Sequence, residues 1–77
     1  MVIKILGKGC KNCEKLAENA KKAANDLGLA VTIEKVTDLD DIVAYGVMKT
    51  PAIVVDEQLK HQGKVLAPSQ IRKLLTA

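Results

Sequence analysis

Between residues 2 and 27 the apolar pattern changes its period once, and both cysteines of the chain sit at the change. Val2-Ile3-Lys4-Ile5-Leu6 is aliphatic and β-branched, which reads as a strand. Gly7-Lys8-Gly9 breaks that run and permits a tight turn. From about Cys13 the apolar residues recur as Leu16, Ala17, Ala20, Ala23, Ala24 and Leu27. That is helical spacing, with Glu14, Lys15, Glu18, Lys21 and Lys22 on the other face. Gly28 stops the helix as its C-cap. Cys10-Lys11-Asn12-Cys13 therefore lies where a strand hands over to a helix.

The rest of the chain continues the alternation. Leu29 to Val36 alternates around Val31 and Ile33, with Thr32 and Glu34 outward, and predicts a second strand. Asp38 is a good N-cap for a shorter helix, and Asp40 and Asp41 suit the positive end of its dipole. Ile42, Val43 and Tyr45 supply the packing face, and Gly46 ends the helix. Ala52-Ile53-Val54-Val55 is the most apolar run and predicts a buried strand. Asp56-Glu57 make a turn, and Gln58 to Gly63 reads as an exposed, polar edge strand. Pro68 fits the first position of a last helix with Ile71, Leu74 and Leu75 as its apolar stripe. The order is β-α-β-α-β-β-α.

Seventy-seven residues predict one domain, residues 1–77. The apolar share of 48% suffices for a compact globule. Tyr45 is the only aromatic residue, so a module that stacks nucleic-acid bases is not expected. The net charge of +3 is spread along the chain and reads as a solvated face; Lys60, Lys64, Arg72 and Lys73 belong to it. His61, on the polar edge strand, is expected to be solvent-exposed. The apolar run after Met1 is too short for a signal-peptide core or a membrane span. The expectation is a monomeric cytoplasmic protein with no membrane partner.

Two thiols at this spacing can close a small disulfide ring or grip one soft metal ion. In a reducing compartment such a pair is more often catalytic, redox-sensing or metal-binding than structural. A disulfide this local closes a very short loop and contributes little through chain entropy. A structural zinc site normally needs four protein ligands, and the chain offers two thiols and the distant His61. Two thiolates do suit a soft monovalent ion, so a copper-type metal chaperone is a rival reading. Such modules follow β-α-β-β-α-β order and commonly carry a Met just before the motif. Here Gly7-Lys8-Gly9 precedes Cys10, and the chain ends in a helix.

The element order, with C-x-x-C at the first helix and Thr50-Pro51 before the third strand, resembles the thioredoxin fold. The stretch Tyr45-Gly46-Val47-Met48-Lys49-Thr50-Pro51-Ala52-Ile53-Val54-Val55 is similar to the thioredoxin segment that carries a cis-proline. The length and the ending from Gly63 to Leu75 are closest to the small thioredoxin-like redox-active disulfide proteins of archaea and bacteria. The two motifs, about forty residues apart and each in context, are more specific together than either alone.

The resemblance implies a minimal α/β thioredoxin fold, with a mixed four-stranded sheet and helices on both faces. It implies a thiol–disulfide oxidoreductase that needs no cofactor or metal. Cys10 attacks a protein disulfide as the thiolate, and Cys13, more buried, resolves the mixed disulfide. The helix N-terminus favours that thiolate, and Lys8 and Lys11 either add to the effect or are solvated lysines that keep the loop soluble. Lys11, Asn12, Met48, Thr50 and a cis Pro51 form the substrate-binding surface, with the Thr50 backbone offered to an extended substrate strand. A thiol reductase or a small thiol re-reduces the pair. Three departures stand out. Gly9 replaces the usual Trp, Lys11-Asn12 replaces Gly-Pro, and Lys4 stands where a buried acid is common. Lys4 is expected to snorkel its ammonium to the surface. A single Gly63 instead of Gly-Gly argues against glutathione as the substrate. Without the Trp and the acid, a redox-sensing adaptor with slow exchange is a third reading.

Overall fold

The computed structural model describes residues 1–8 and 11–76. Seven elements follow the expected order: β1 (Val2–Leu6), α1 (Lys11–Asp26), β2 (Thr32–Val36), α2 (Leu39–Ala44), β3 (Ala52–Val55), β4 (Gln58–Gln62) and α3 (Pro68–Thr76). The four strands form one mixed sheet in the order β2-β1-β3-β4. β1 runs parallel to β2 and antiparallel to β3, and β3 is antiparallel to β4.

Successive strand residues point to opposite faces, and this alternation divides the core in two. Ile3, Ile5, Ile53 and Val55 pack with Leu16, Ala17, Ala20, Ala23 and Ala24 of α1 and with Ile71 and Leu75 of α3. Leu6, Ala52 and Val54 pack on the other face with Ile42 of α2 and with Val47. β3 is buried at every residue because it is flanked by β1 and β4 and covered on both faces. The alanines of α1 let that helix lie close to the sheet.

The helix ends obey local rules. At the end of α1, Leu29 N–H donates to Ala24 C=O at 2.9 Å and Gly28 N–H to Asn25 C=O at 3.0 Å, with Gly28 at φ +67°. This is a Schellman cap, which favours glycine at the left-handed position. It takes Leu29 into the cap, so β2 begins at Thr32 and not at Leu29 as the alternation suggested. The side chain of Asp38 caps α2 by accepting from Asp40 N–H at 2.8 Å. Pro68 opens α3, and the Gln70 side chain accepts from Ala67 N–H at 3.0 Å, half of a capping box. α1 starts at Lys11, two residues before the apolar periodicity begins.

Three expectations need correction. Val43 is 61% exposed and does not join Ile42 in the core, because the next residue of a helix points about 100° away. β4 is not polar and exposed throughout, since Leu59, His61 and Gln62 are half-buried. The Nε2 atom of His61 is buried and finds no hydrogen-bond partner among the described residues. The cause is a bulge: Val54 pairs with Leu59 but Ile53 pairs with His61, so Lys60 is an extra residue. His61 thereby lies opposite a core residue of the α1–α3 face.

Lys4 lies in β1 with only 19% of its side chain exposed. Its ammonium donates to the Tyr45 hydroxyl at 2.7 Å and to the Glu57 carboxylate at 2.5 Å, and the Tyr45 hydroxyl donates to Glu57 at 2.9 Å. The hydrogen bond to Glu57, then that to Tyr45, holds Lys4 protonated above the ordinary lysine range. The hydrogen bond from Lys4, then that from the Tyr45 hydroxyl, holds the Glu57 carboxyl below its usual range. The stem is covered, as snorkelling requires, but the head group ends in a built network.

That network ties β1 and the end of α2 to the β3–β4 turn, where Asp56 and Glu57 both adopt positive φ, 48° and 68°. A two-residue hairpin with two positive φ values normally selects Gly or Asn. Here Asp56 exchanges two bonds with Val2, its N–H donating at 2.9 Å and its carboxylate accepting at 2.9 Å. Glu57→Gln should lower the unfolding midpoint near neutral pH. Because the folded pKa is depressed, the contribution is full above the unfolded value of about 4.3 and is lost as pH falls through the folded one. Thermal unfolding of both proteins across the acid range should therefore converge at the low end. A deficit that stays constant with pH would show that ionised Glu57 is not the source.

Candidate functional site

The site lies where β1 runs out and α1 begins. Cys13 is in the first turn of α1 and only 5% exposed. Lys11 and Asn12, in the same turn, are exposed. In sequence Cys10 directly precedes Lys11; Cys10 and Gly9 lie outside the described residues.

Gly7 determines where the Cys13 sulfur sits. A Cβ added at Gly7 would stand 2.2 Å from Cys13 Sγ and 3.3 Å from Cys13 Cβ. Real carbons do not approach sulfur so closely, so only glycine leaves room. The same point is 3.8 Å from Thr50 Cβ. Cys13 and Thr50, 37 residues apart in sequence, therefore flank one position at the end of β1. Gly7 N–H donates to Val36 C=O at 2.9 Å, which continues the β1–β2 ladder up to the site.

A small cavity of about 20 Å³ adjoins the buried sulfur. It is lined by Ile5, Gly7, Cys13, Glu14, Lys35 and Thr37. Lys35 pairs with Ile5 across the β1–β2 ladder, which places it on the α1 face of the sheet. Lys4 faces the other way, into the Tyr45–Glu57 network, so its charge does not line this cavity. Among the described residues no group of three or more His, Cys, Asp or Glu converges as a metal-ligand set. No helix of the described residues is long and apolar enough to cross a membrane.

The second wall of the site is the loop before β3. The Thr50–Pro51 peptide bond is cis. Pro51 is buried and Thr50 is exposed. Met48 is 87% exposed, the most exposed large apolar side chain of the chain's described residues. Its backbone is held all the same. Gln62 Oε1 accepts from Met48 N–H at 2.7 Å and from Lys49 N–H at 3.3 Å. Gly63 N–H donates to Pro51 C=O at 2.9 Å.

Sequence reasoning missed two of these residues. Gly7 reads as a turn former, but its role is steric and becomes visible only once α1 is packed on β1. Gln62 reads as one more polar residue on an edge strand, and no local signal marks it. Cys13, Lys11, Asn12, Met48, Thr50 and Pro51 fall at one end of the sheet, with Cys13 and Thr50 as immediate neighbours of Gly7.

Comparison with known proteins covers nearly the whole chain. A family model described as a thioredoxin domain matches residues 1–76. A protein named thioredoxin from Methanothermobacter thermautotrophicus is 38% identical over 76 residues, covering 99% of each chain. A protein named thioredoxin from Methanocaldococcus jannaschii is 37% identical over 75 residues, covering 97% of this chain and 86% of its own.

Gly7→Ala tests the steric reading. The added methyl must displace the Cys13 sulfur or push α1 away from β1. Overpacking of this kind costs about 1–3 kcal/mol. Chemical denaturation should show that loss with the cysteines kept reduced. Unchanged stability would mean that the sulfur does not rest against β1.

Proposed function

The chain belongs to the thioredoxin domain family and has its minimal fold, and from that premise we propose that Cys10 and Cys13 exchange a dithiol for a disulfide with protein substrates. Thiol–disulfide oxidoreductase chemistry is what the family membership supports. The observation that carries the assignment to this site is the meeting of Cys13 and Thr50 around Gly7.

Roles follow from burial and sequence position. A thiolate attacks a disulfide, so the attacking cysteine must be reachable and easily ionised. Cys10 directly precedes the first helical residue, where unpaired backbone N–H groups and the dipole favour negative charge. Lys8 and Lys11 add positive charge nearby. Cys10 attacks one sulfur of the substrate disulfide, forms the mixed disulfide and expels the other substrate sulfur as a thiolate. Cys13 is 5% exposed and lies in the first turn of α1, three residues after Cys10 in sequence, which suits a group that meets only Cys10. Its thiolate attacks Cys10, closes the Cys10–Cys13 bond and releases the second substrate thiolate. The substrate gains two electrons and the pair loses two, so a thiol reductase or a small thiol must return them.

The substrate's chain lies in extended form along Thr50. Main-chain hydrogen bonds at an exposed backbone edge give affinity without demanding a particular sequence. Lys11, Asn12 and Met48 border that edge and adjust which partners fit. On this reading residues 1–77 work as one domain and a monomer in the cytoplasm, without a cofactor. The soft-metal and adaptor readings use the same cysteines; the family membership supports the oxidoreductase reading.

Replacing the cysteines one at a time separates the roles. Cys10→Ser should abolish disulfide reduction, a loss of at least about a thousandfold on the scale of a missing nucleophile. Cys13→Ser should still attack once and accumulate a mixed disulfide, visible as added mass. Wild-type turnover by Cys10→Ser would assign the nucleophile elsewhere.

A further inference from the structure

The loop at residues 48–51 is gripped from β4, and the grip depends on the bulge. Without an extra residue the β3–β4 ladder would run Val55–Gln58, Val54–Leu59, Ile53–Lys60 and Ala52–His61. The observed pairs are Ile53–His61 and Ala52–Gln62. One inserted residue exchanges the faces of everything after it. The bulge at Lys60 therefore turns His61 to the α1–α3 face and brings Gln62 to the face of Ala52, whose cluster includes Val47. Bulges beside functional sites commonly re-aim a side chain in this way.

Gln62 then reaches two consecutive backbone N–H groups, Met48 at 2.7 Å and Lys49 at 3.3 Å. Both partners are donors, so the amide must present its oxygen to them. On the other side of the loop, Gly63 N–H holds Pro51 C=O at 2.9 Å. Gly63 has φ +82°, and a Cβ there would sit 3.3 Å from Lys49 Cβ and 3.4 Å from Lys49 Cδ. The lysine stem thus packs across the glycine. Gln62 and Gly63 hold the loop at both ends, and Thr50 lies between the two grips.

We propose that Gln62 is a positioning residue for substrate binding, whose side-chain oxygen fixes Met48 and Lys49 so that Thr50 presents its backbone beside Cys13. This rests on the oxidoreductase reading for its use and on the hydrogen bonds for its geometry. The residue acts on binding of an extended chain and not on sulfur chemistry. It should matter for a protein disulfide and not for a small one.

Amide hydrogen exchange of the full chain tests the grip without any assay of activity. Gln62→Leu should speed exchange at Met48 and Lys49 by about tenfold or more, the scale of a lost hydrogen bond. Gln62→Glu should keep both amides protected, because a carboxylate oxygen still accepts. Steady-state reduction of insulin and of hydroxyethyl disulfide then tests the use. Gln62→Leu should raise KM for insulin about tenfold, leave hydroxyethyl disulfide turnover within about twofold, and be rescued by Gln62→Glu. Unchanged amide exchange in Gln62→Leu overturns the proposal, as does an unchanged insulin KM or an equal loss on both substrates. If Gln62→Leu does not fold, Gln62→Glu decides alone: loss of protection at Met48 and Lys49 overturns the grip. If the wild-type chain reduces neither disulfide, the oxidoreductase reading fails, and amide exchange still judges the grip.

Discussion

The sulfur of Cys13 occupies space that any side chain at position 7 would need. That close approach joins the first strand, the first helix and the loop before β3, because Thr50 borders the same point. It requires glycine at the end of β1, a small side chain in the first turn of α1, and α1 lying close to the sheet. The third condition is met by the four alanines of α1, all buried against β-branched and leucine residues. An aliphatic core with almost no aromatic bulk is thus part of how the site is made. Close packing propagates such constraints, since interiors leave few gaps to absorb a displaced group.

From that contact outward, the two faces of the sheet divide the labour. The α1–α3 face carries most of the core and places the buried cysteine. The α2 face carries a smaller cluster and, at its edges, two polar devices. One is the Lys4–Tyr45–Glu57 network, which steadies the β3–β4 turn. The other is the pair of bonds from Gln62 to the loop at Met48 and Lys49. β3 lies between them, so the turn at one end of the hairpin and the loop at the other are fixed through the same two strands. The charge of Lys4 is engaged on the face away from Cys13. The charged residues that line the cavity beside Cys13 are Glu14 and Lys35.

Much of the fold was legible because it depends on local chemistry. Asp38 as a cap, Gly28 at a left-handed position, Pro68 at a helix start and the apolar run at β3 each act within a few residues of themselves. The meeting of Cys13 with the Thr50-Pro51 loop was legible in outline for the same reason, since each lies next to a strand end. What was hidden depends on long-range geometry. Nothing near Lys60 announces a bulge, so the phase of β4, and with it the faces of His61 and Gln62, could not be read from alternation. Val43 faces outward because it lies about 100° round the helix from Ile42, whose face Tyr45 shares three residues on. Lys4 found its partners 41 and 53 residues away.

The central claim is that Cys10 and Cys13 form a working dithiol and not a permanent brace. The most direct measurement is the reduction potential of the pair, taken by equilibrating the protein against a defined dithiol buffer and counting thiols. A working pair gives one two-electron couple within the range of exchanging proteins, between about −270 and −120 mV. A couple below about −300 mV, where structural disulfides lie, or no couple involving both cysteines, would contradict it.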